Sequence, residues 1–357
     1  MAVSASSVGT VPKPSVDATH KRPKIVTNKQ RVTWVALVLL VLLVAGAVWG
    51  LSIGSQHIPL TQLPGAIVKA DTPGELILQS IRLPRVVLAL CVGAALAVAG
   101  ALMQAVAANP LAAPEIMGVN AGAVFVVVLA ITVVPSLSGA PTILLAFGGA
   151  AAAGVSVMLL AGSGRGRVSP VRLALAGVTA SSLLISLTQV LIIFDENSTD
   201  SVLFWLVGGV NFASWHDVRN LLPWLVLGLL GAFAMARPLN LLALGEDMAR
   251  GLGQNVERTR IIGSALVIVL CGAAVSVAGP VAFIGLIVPH IMRRLVGSSY
   301  TVLLPLSALG GGALVLYADI LSRYIKPPFE VPAGVVTALL GAPIFVYLAR
   351  RQKVTTS

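Results

Sequence analysis

The feature that most constrains the fold of this chain is a series of long apolar runs separated by short polar stretches. A helix needs about 20 apolar residues to cross a bilayer, and most of these runs approach that length. They cover roughly residues 33–53, 84–107, 116–134, 142–161, 173–193, 219–236, 261–279, 281–292, 301–321 and 332–349. We therefore predict an all-α, polytopic membrane protein with about ten transmembrane helices.

Composition excludes the main alternatives to this class. Hydrophobic residues make up 57% of the chain and charged residues only 10%, whereas about a quarter of a soluble chain is charged. The ten-residue alternating segments typical of outer-membrane barrels are absent from the sequence. We attribute the net charge of +11 to basic residues gathered at one membrane face, not to nucleic-acid binding.

The distribution of lysine and arginine predicts the topology. With ten spans both termini lie on the same side, and that side carries 18 of the 24 basic residues. Because cytoplasmic loops are enriched in Lys and Arg, we predict that both termini are cytoplasmic. Residues 1–32 are predicted to be a disordered basic tail, 33–350 the transmembrane domain, and 351–357 a second cytoplasmic tail.

The run at 281–292 is short for a span. A single helix over 261–292 is the alternative, but it gives an odd number of spans and places the basic C-terminus outside. Gly279 and Pro280 instead favour a broken helix buried among others. Residues 94–104 and 273–283 share five of eleven positions and run in opposite directions, a faint inverted repeat of the kind found in transporters.

A polar segment at 237–260, between two predicted spans, carries leucines at helical spacing amid charges. Acids at positions 246 and 247, Arg250, and a following glycine predict a short capped helix over about 246–252. Pro238 favours a helix before it, which makes the segment a helix–turn–helix on the cytoplasmic face. An amphipathic surface segment without a partner is the alternative.

Positive charges also occur on the predicted outer side. Arg82 and Arg85 lie at the start of the second span, and Asp319 and Arg323, spaced i,i+4, lie at the end of the ninth. Since basic residues are usually depleted there, we interpret them as functional. The alternative is that they anchor helix ends by snorkelling.

The sequence indicates no catalytic or metal site. No GxxxxGK[ST] phosphate loop occurs, and residues 162–167 (GSGRGR) are interpreted more simply as a basic turn. Cys91 and Cys271 lie in separate apolar runs, and no histidine pair has metal-ligand spacing. We expect no enzyme activity, metal or cofactor in this chain.

Few polar residues are available to line a transport path. The candidates are Gln104, Asn120, Thr188 and Gln189, which lie within or beside the predicted spans. Because the spans contain no charged ligand for a bare metal ion, a channel for naked ions is disfavoured.

Several segments resemble FecCD-type permeases, the membrane subunits of ABC importers for iron–siderophores, cobalamin and haem. The resemblance covers about 33–350, with the shared segments in the same order. They are RLPR (82–85), GAALAVAGALMQ (93–104), NPLAAPEIMGVNAGA (109–123), LNLLALGEDMARGLG (239–253), VAGPVAFIGLIVPHIMRRLVG (277–297), ADILSR (318–323) and VPAGVVTALLGAPIFVYL (331–348).

The resemblance implies a bacterial inner or plasma membrane location and a second permease subunit, identical or paralogous. It also implies two ABC ATPases, which use ATP and Mg²⁺, and a periplasmic or lipid-anchored substrate-binding protein. The ATPase-coupling segment corresponds to 239–253, and the arginines that dock the binding protein to Arg82, Arg85 and Arg323. The proposed coupling residues are Leu242, Leu244, Gly245, Glu246, Asp247, Ala249, Arg250, Leu252 and Gly253.

The leading hypothesis is an importer of a ferric siderophore, with ferric citrate as one candidate. Residues 204–215 (FWLVGGVNFASW) are similar to a YWxxGG-like segment of such permeases, with Phe204 in place of Tyr. Cobalamin or haem is the alternative substrate. A proton-driven transporter needs an ionisable relay, which only Asp319 approaches, and a receptor or scaffold without transport is a third class.

Overall fold

In the computed structural model, the described residues are 29–53, 72–134, 140–162, 170–194, 205–325 and 330–351. They form helices joined by short connections, and no strand occurs among them. The predicted tails lie almost wholly outside this part of the chain. The first helix begins at Lys29, which is inside the range predicted as the N-terminal tail.

Twelve α-helices are labelled here in chain order. They are α1 (Lys29–Ser52), α2 (Pro73–Val106), α3 (Val119–Val133), α4 (Ala140–Gly162), α5 (Pro170–Phe194), α6 (Trp215–Ala234), α7 (Ala236–Leu242), α8 (Glu246–Gly251), α9 (Val256–Ala278), α10 (Ile284–Val296), α11 (Tyr300–Ile325) and α12 (Ala333–Arg351). A 3₁₀ turn, Pro114–Met117, precedes α3.

Ten of these helices correspond to the ten predicted spans. Seven are long and apolar enough to cross a membrane by length and composition. The shorter three are α3, α10 and α12. The all-α, multi-pass class is confirmed. Seven of the ten helices begin before the predicted runs, whereas α3, α10 and α12 begin after the predicted starts.

The centre of the bundle is α2, which packs against α9, α10 and α11. In its most apolar window 78% of the residues are buried, against 11% in α1 and in α5. Gly93 lies against the backbone of Gly311, and Gly100 against that of Gly285. Because a side chain at either position would overlap a carbonyl group, these glycines permit close approach of the helices.

The chain breaks between α9 and α10, as Gly279 and Pro280 predict. Gly279 and Phe283 both adopt positive φ angles, +66° and +69°, so no continuous helix spans 261–292. The Gly209 amide donates to the Ala278 carbonyl at the end of α9 over 2.7 Å. Gly209, from the Gly208–Gly209 pair of the 204–215 segment, therefore supplies a hydrogen-bond donor to the last turn of α9 at the break.

The inverted repeat stays a prediction. Its first copy, residues 94–104, is entirely helical within α2. Its second copy, residues 273–283, ends in the break after α9. The two sequences therefore adopt different backbones over their last positions.

We name the two ends of the bundle after the predicted topology. The inner end carries α7 and α8, and the outer end carries Arg82 and Arg85. The turn between α7 and α8 contains Gly245 at φ +107°, and Gly253 follows α8 at φ +82°. Both angles favour glycine. The helix–turn–helix predicted for this segment is present.

Candidate functional site

The α7–α8 segment is held to the bundle by a small apolar cluster of Leu242, Ala249 and Val256. Gln254 reinforces it, because its amide donates to the Pro238 carbonyl and to Thr259, each over 2.9 Å. Of the predicted coupling residues, Leu242 and Ala249 thus face inward. Their burial gives this short segment a defined position at the surface.

The opposite face of α8 and its flanking residues is apolar and exposed. Leu244, Met248 and Leu252 are 50%, 50% and 57% exposed. Met248 lies on α8, Leu252 directly follows the helix, and Leu244 lies in the turn just before Gly245. Met248 was missed in the sequence analysis, which named its neighbours Asp247 and Ala249. A rigid apolar stripe at a membrane protein's surface is typical of a docking face for another protein.

Charged residues border this stripe. Glu246 pairs with Arg250 at 3.0 Å and with Arg260, in the first turns of α9, at 2.5 Å. The Arg260 side chain is only 5% exposed, whereas those of Glu246 and Arg250 are 39% and 43% exposed. Glu246 therefore connects a surface helix to a charge embedded in the bundle. Asp247, fully exposed, lies 3.7 Å from Arg250.

A cavity of about 320 Å³ lies beneath the segment. Its walls come from α7 and the adjoining turn (Leu239, Leu242, Gly245), from the end of α2 and its loop (Gln104, Asn109), and from Arg293 and Tyr300. Gln104 is 3% exposed, and it accepts a hydrogen bond from Arg293 over 2.9 Å. The structure places this predicted path residue at the inner cavity, bonded to a cation.

At the outer end, the three predicted docking arginines are buried. Asp319, whose side chain is fully buried, lies between Arg85 at 2.8 Å and Arg323 at 2.5 Å. Arg85 also pairs with Glu330 at 2.6 Å. No more than 6% of the Arg85 or Arg323 side chain is exposed. These charges are therefore directed into the bundle and do not lie open on its outer surface.

Two of these arginines also donate hydrogen bonds to carbonyl groups at the end of α1. Arg82 donates to the Leu51 carbonyl over 2.8 Å, and Arg323 donates to the Gly50 carbonyl over 2.9 Å. The last carbonyl groups of a helix have no partner within it, and cations there are favourable. This geometry gives the arginines contacts at a helix end, but through buried hydrogen bonds and not by the snorkelling considered in the sequence analysis.

The remaining path candidates do not converge. Asn120 lies at the start of α3 and approaches the Cys271 thiol at 3.6 Å. Thr188 is buried and donates to the Leu184 carbonyl of its own helix over 2.7 Å. Gln189 is exposed on α5.

Gln189 belongs to a polar stripe that the sequence analysis missed. Thr179, Ser182, Ser186 and Gln189 are all exposed and follow helical spacing along α5. Thr179 and Ser186 donate to the carbonyls of Leu175 and Ser182, which is how hydroxyl groups are accommodated in membrane helices. Ala180, Ser181, Leu187 and Thr188 are among the residues between these positions, so the stripe emerges only at a period of 3.6.

Glu115 is a second residue that the sequence analysis missed. One of its carboxylate oxygens is inaccessible and has no hydrogen-bond partner among the described residues. Glu115 lies on the turn before α3, and its neighbour Pro114 packs against Gly285 at the start of α10. Within the described ranges no cluster of three His, Cys, Asp or Glu side chains could hold a metal ion.

Comparison with known families agrees with this arrangement. A model of the FecCD transport family matches residues 37–351, from α1 to the end of α12. The chain belongs to the FecCD transport family. The match includes the broken helix, the α7–α8 segment and both charge clusters, so all the features described above lie within the family domain.

Relatives of this FecCD chain are membrane permease proteins. It is 43% identical to the Fe(3+)-citrate import system permease protein YfmD of Bacillus subtilis, over 88% of this chain and 94% of that protein. It is 40% identical to the ferric enterobactin transport system permease protein FepD of Escherichia coli, with the same coverage. Both matches extend over most of the two proteins compared.

A solved structure supports the same fold. A metal-chelate type ABC transporter in an inward-facing conformation superposes with a TM-score of 0.77. Its sequence is 30% identical, and the match covers 89% of this chain and 99% of that one. The FecCD chain is therefore a multi-pass membrane protein with the architecture of that transporter.

Proposed function

We propose that this chain is the permease subunit of an ABC importer that carries a ferric siderophore, with ferric citrate as one candidate, into the cytoplasm. The observation that carries the proposal is the α7–α8 segment, whose Leu244, Met248 and Leu252 form an exposed apolar stripe. Family membership and relatives named for ferric chelates support it.

We propose that the stripe docks a cytoplasmic ABC ATPase. Glu246, Asp247 and Arg250 border the contact and set its orientation by charge. ATP and Mg²⁺ bind to the ATPase, whose closure moves α8. Leu242 and Ala249 pass this motion to the bundle because both are buried in the contact with α9.

The complete importer in this proposal contains two permease subunits, two ATPases and an external substrate-binding protein. Both termini of this chain lie in the cytoplasm of a bacterium. The permease pair is needed because α1 and α5 expose most of their surface in the single chain. A partner subunit covers part of that surface and membrane lipid the rest.

The path lies between the two permease subunits, and α5 supplies one wall. Thr179, Ser182, Ser186 and Gln189 offer hydroxyl and amide groups to the chelate's oxygen atoms. A chelator shields the charge of the iron, so the wall needs no acidic ligands. Asn120 and Thr188 face other parts of the bundle and are left out of this path.

Docking of the binding protein at Arg82, Arg85 and Arg323 remains a proposal of its own. An acidic partner reaches these arginines only by competing with Glu330, because Arg85 already pairs with it and with Asp319. The Glu330 side chain is 41% exposed, so it is the member of the cluster that a partner can displace.

The test is uptake into vesicles that contain this chain with its partner subunits. ATP-dependent uptake of radiolabelled ferric citrate or another ferric siderophore supports the proposal, and an ATPase with an inactive phosphate loop is the control. Uptake of cobalamin or haem alone reassigns the substrate. Uptake that survives the inactive ATPase and collapses with the proton gradient indicates a secondary transporter, and no uptake of any chelate indicates a scaffold.

A further inference from the structure

A proline inside α10 leaves a carbonyl group without its helical partner. In an α-helix the carbonyl of Gly285 accepts from the amide of the fourth following residue. That residue is Pro289, which has no N–H group. A buried carbonyl without a donor is unfavourable, so another group must supply the hydrogen bond.

The side-chain amide of Gln104, on α2, approaches this carbonyl group. Its nitrogen lies 3.5 Å from the Gly285 carbonyl and 3.4 Å from the Leu286 carbonyl, and both are long contacts at the outer limit of hydrogen bonding. Gly100, one turn earlier on the same face of α2, packs directly against Gly285. Close helix packing therefore brings the amide group to the first turn of α10, just after the break.

The other end of the same side chain is bonded to the inner end of the bundle. The Gln104 oxygen accepts from Arg293 over 2.9 Å. Arg293 and Tyr300 line the cavity beneath the α7–α8 segment. Asn240 of α7 accepts from the Tyr300 amide over 2.7 Å and donates to Thr301 over 3.1 Å. Polar contacts thus join α7 to the start of α11, and Arg293 to Gln104 beside the break, and the two groups meet at the wall of the same cavity.

We propose that Gln104 is a positioning residue that couples movement of the α7–α8 segment to the backbone break at 279–285. A shift of α7 moves the start of α11 through Asn240 and changes the cavity wall that holds Arg293. A shift of Arg293 moves the Gln104 side chain through their hydrogen bond, and the Gln104 amide contacts the first turn of α10. This proposal rests on the proposed function.

The test separates coupling from mere stability. Gln104→Leu replaces the amide oxygen and nitrogen with an apolar side chain that is one atom shorter, so both hydrogen-bonding groups are lost. In the reconstituted importer we expect ATP hydrolysis to persist and uptake per ATP to fall at least about 5-fold, the lower bound of typical coupling between sites. Ser276→Ala, which removes a buried hydroxyl bonded within its own helix, is the control and should leave the ratio unchanged.

Pro289→Ala in the Gln104→Leu background provides the discriminating measurement. Alanine restores an N–H for the Gly285 carbonyl, so the unfolding midpoint should return toward that of the unmodified protein. If Gln104 positions the break, uptake per ATP stays low in the double variant. Recovery of both quantities together would overturn the proposal, because it would show that Gln104 only satisfies a carbonyl group.

Asn240→Ala tests the distant end of the connection. We expect a fall in uptake per ATP, and we expect the double variant with Gln104→Leu to be no worse than the more severe single variant. Independent, additive losses contradict a shared route. If the unmodified importer shows no ATP-dependent uptake, the proposed function fails; if it transports and Gln104→Leu keeps the normal ratio, only the role of Gln104 fails.

Discussion

The two ends of the bundle contain the same ionic arrangement in different surroundings. At the outer end Asp319 lies between Arg323, four residues later, and Arg85 of another helix. At the inner end Glu246 lies between Arg250, four residues later, and Arg260 of another helix. The outer carboxylate is fully buried, whereas the inner one is 39% exposed.

Burial gives the two arrangements different roles. A buried ion pair is not by itself stabilising, but removal of one partner leaves an uncompensated charge. An exposed pair contributes little and can exchange partners without a large penalty. The outer cluster therefore holds α1, α2 and α11 together, and the inner cluster suits a surface that must bind and release another protein.

The largest effect is expected at Asp319. Asp319→Asn leaves Arg85 and Arg323 without their shared buried carboxylate, which should destabilise the fold by about 3–5 kcal/mol. The measurement is the unfolding midpoint in detergent. Asp247→Asn, the same change at a fully exposed carboxylate, is the matched control. A loss below about 1 kcal/mol at Asp319 would mean that the outer cluster is hydrated and the comparison is wrong.

The helices at both ends were predictable from local sequence. Apolar runs located the ten helices that correspond to predicted spans. Gly279 and Pro280 located the break, and the acid–base order around residue 246 located the short helix α8. Each of these signals depends on residues within a few turns of one another. The α5 stripe is also a local feature, and a systematic search at helical spacing would have found it.

The clusters themselves were not predictable. Asp319 and Arg85 are 234 residues apart in sequence, and Gln104 and Gly285 are 181 apart. Their contacts depend on which faces of α2 pack against α10 and α11. Gly93 and Gly100 mark the faces of α2 that allow close packing, but they do not identify the helices that pack there. Sequence alone therefore could not show that the arginines at 82, 85 and 323 turn inward, to carboxylates and to the end of α1.

The next largest effect should appear in binding rather than folding. Met248→Ser removes the centre of the exposed stripe, and we expect the affinity for the ATPase to fall about 10-fold, since central apolar residues dominate protein interfaces. The unfolding midpoint should hardly change, because Met248 is half exposed. Leu295→Ser, an exposed apolar residue of α10, is the control. Unchanged affinity for Met248→Ser would remove α8 from the interface.

Glu246→Gln sharpens the comparison at the inner end. It removes the negative charge that pairs with both Arg260 and Arg250, so we expect a loss of about 1 kcal/mol, smaller than at Asp319 because Glu246 is partly hydrated. The measurement is again the detergent unfolding midpoint, with ATPase affinity in parallel. A stability loss as large as that of Asp319→Asn would show that the inner cluster also stabilises the fold.

The exchanged pair Glu246→Lys with Arg250→Glu separates the two contacts of Glu246. It preserves an i,i+4 pair on α8, but it sets an ammonium group against the guanidinium of Arg260. We expect the exchange to leave ATPase coupling impaired, because the contact between α8 and α9 becomes repulsive. The measurement is uptake per ATP in the reconstituted importer. If coupling is normal in this variant, the contact with Arg260 is not part of the transmission and the coupling assignment is wrong.

The smallest effect is expected for Arg250→Ala. This change removes the exposed i,i+4 pair with Glu246 and the longer contact with Asp247, and it leaves Glu246 bonded to Arg260. The i,i+4 pair accounts for a stability loss of about 0.3–0.5 kcal/mol. Because the pair is exposed, the loss should diminish further when the ionic strength is raised. Arg323→Ala, which removes an i,i+4 partner of the same spacing from the buried cluster, is the matched comparison. Its effect should be several times larger and insensitive to salt, since Asp319 and the end of α1 lose a buried donor. Equal effects at both positions would mean that spacing along the helix, and not burial, decides what these pairs contribute.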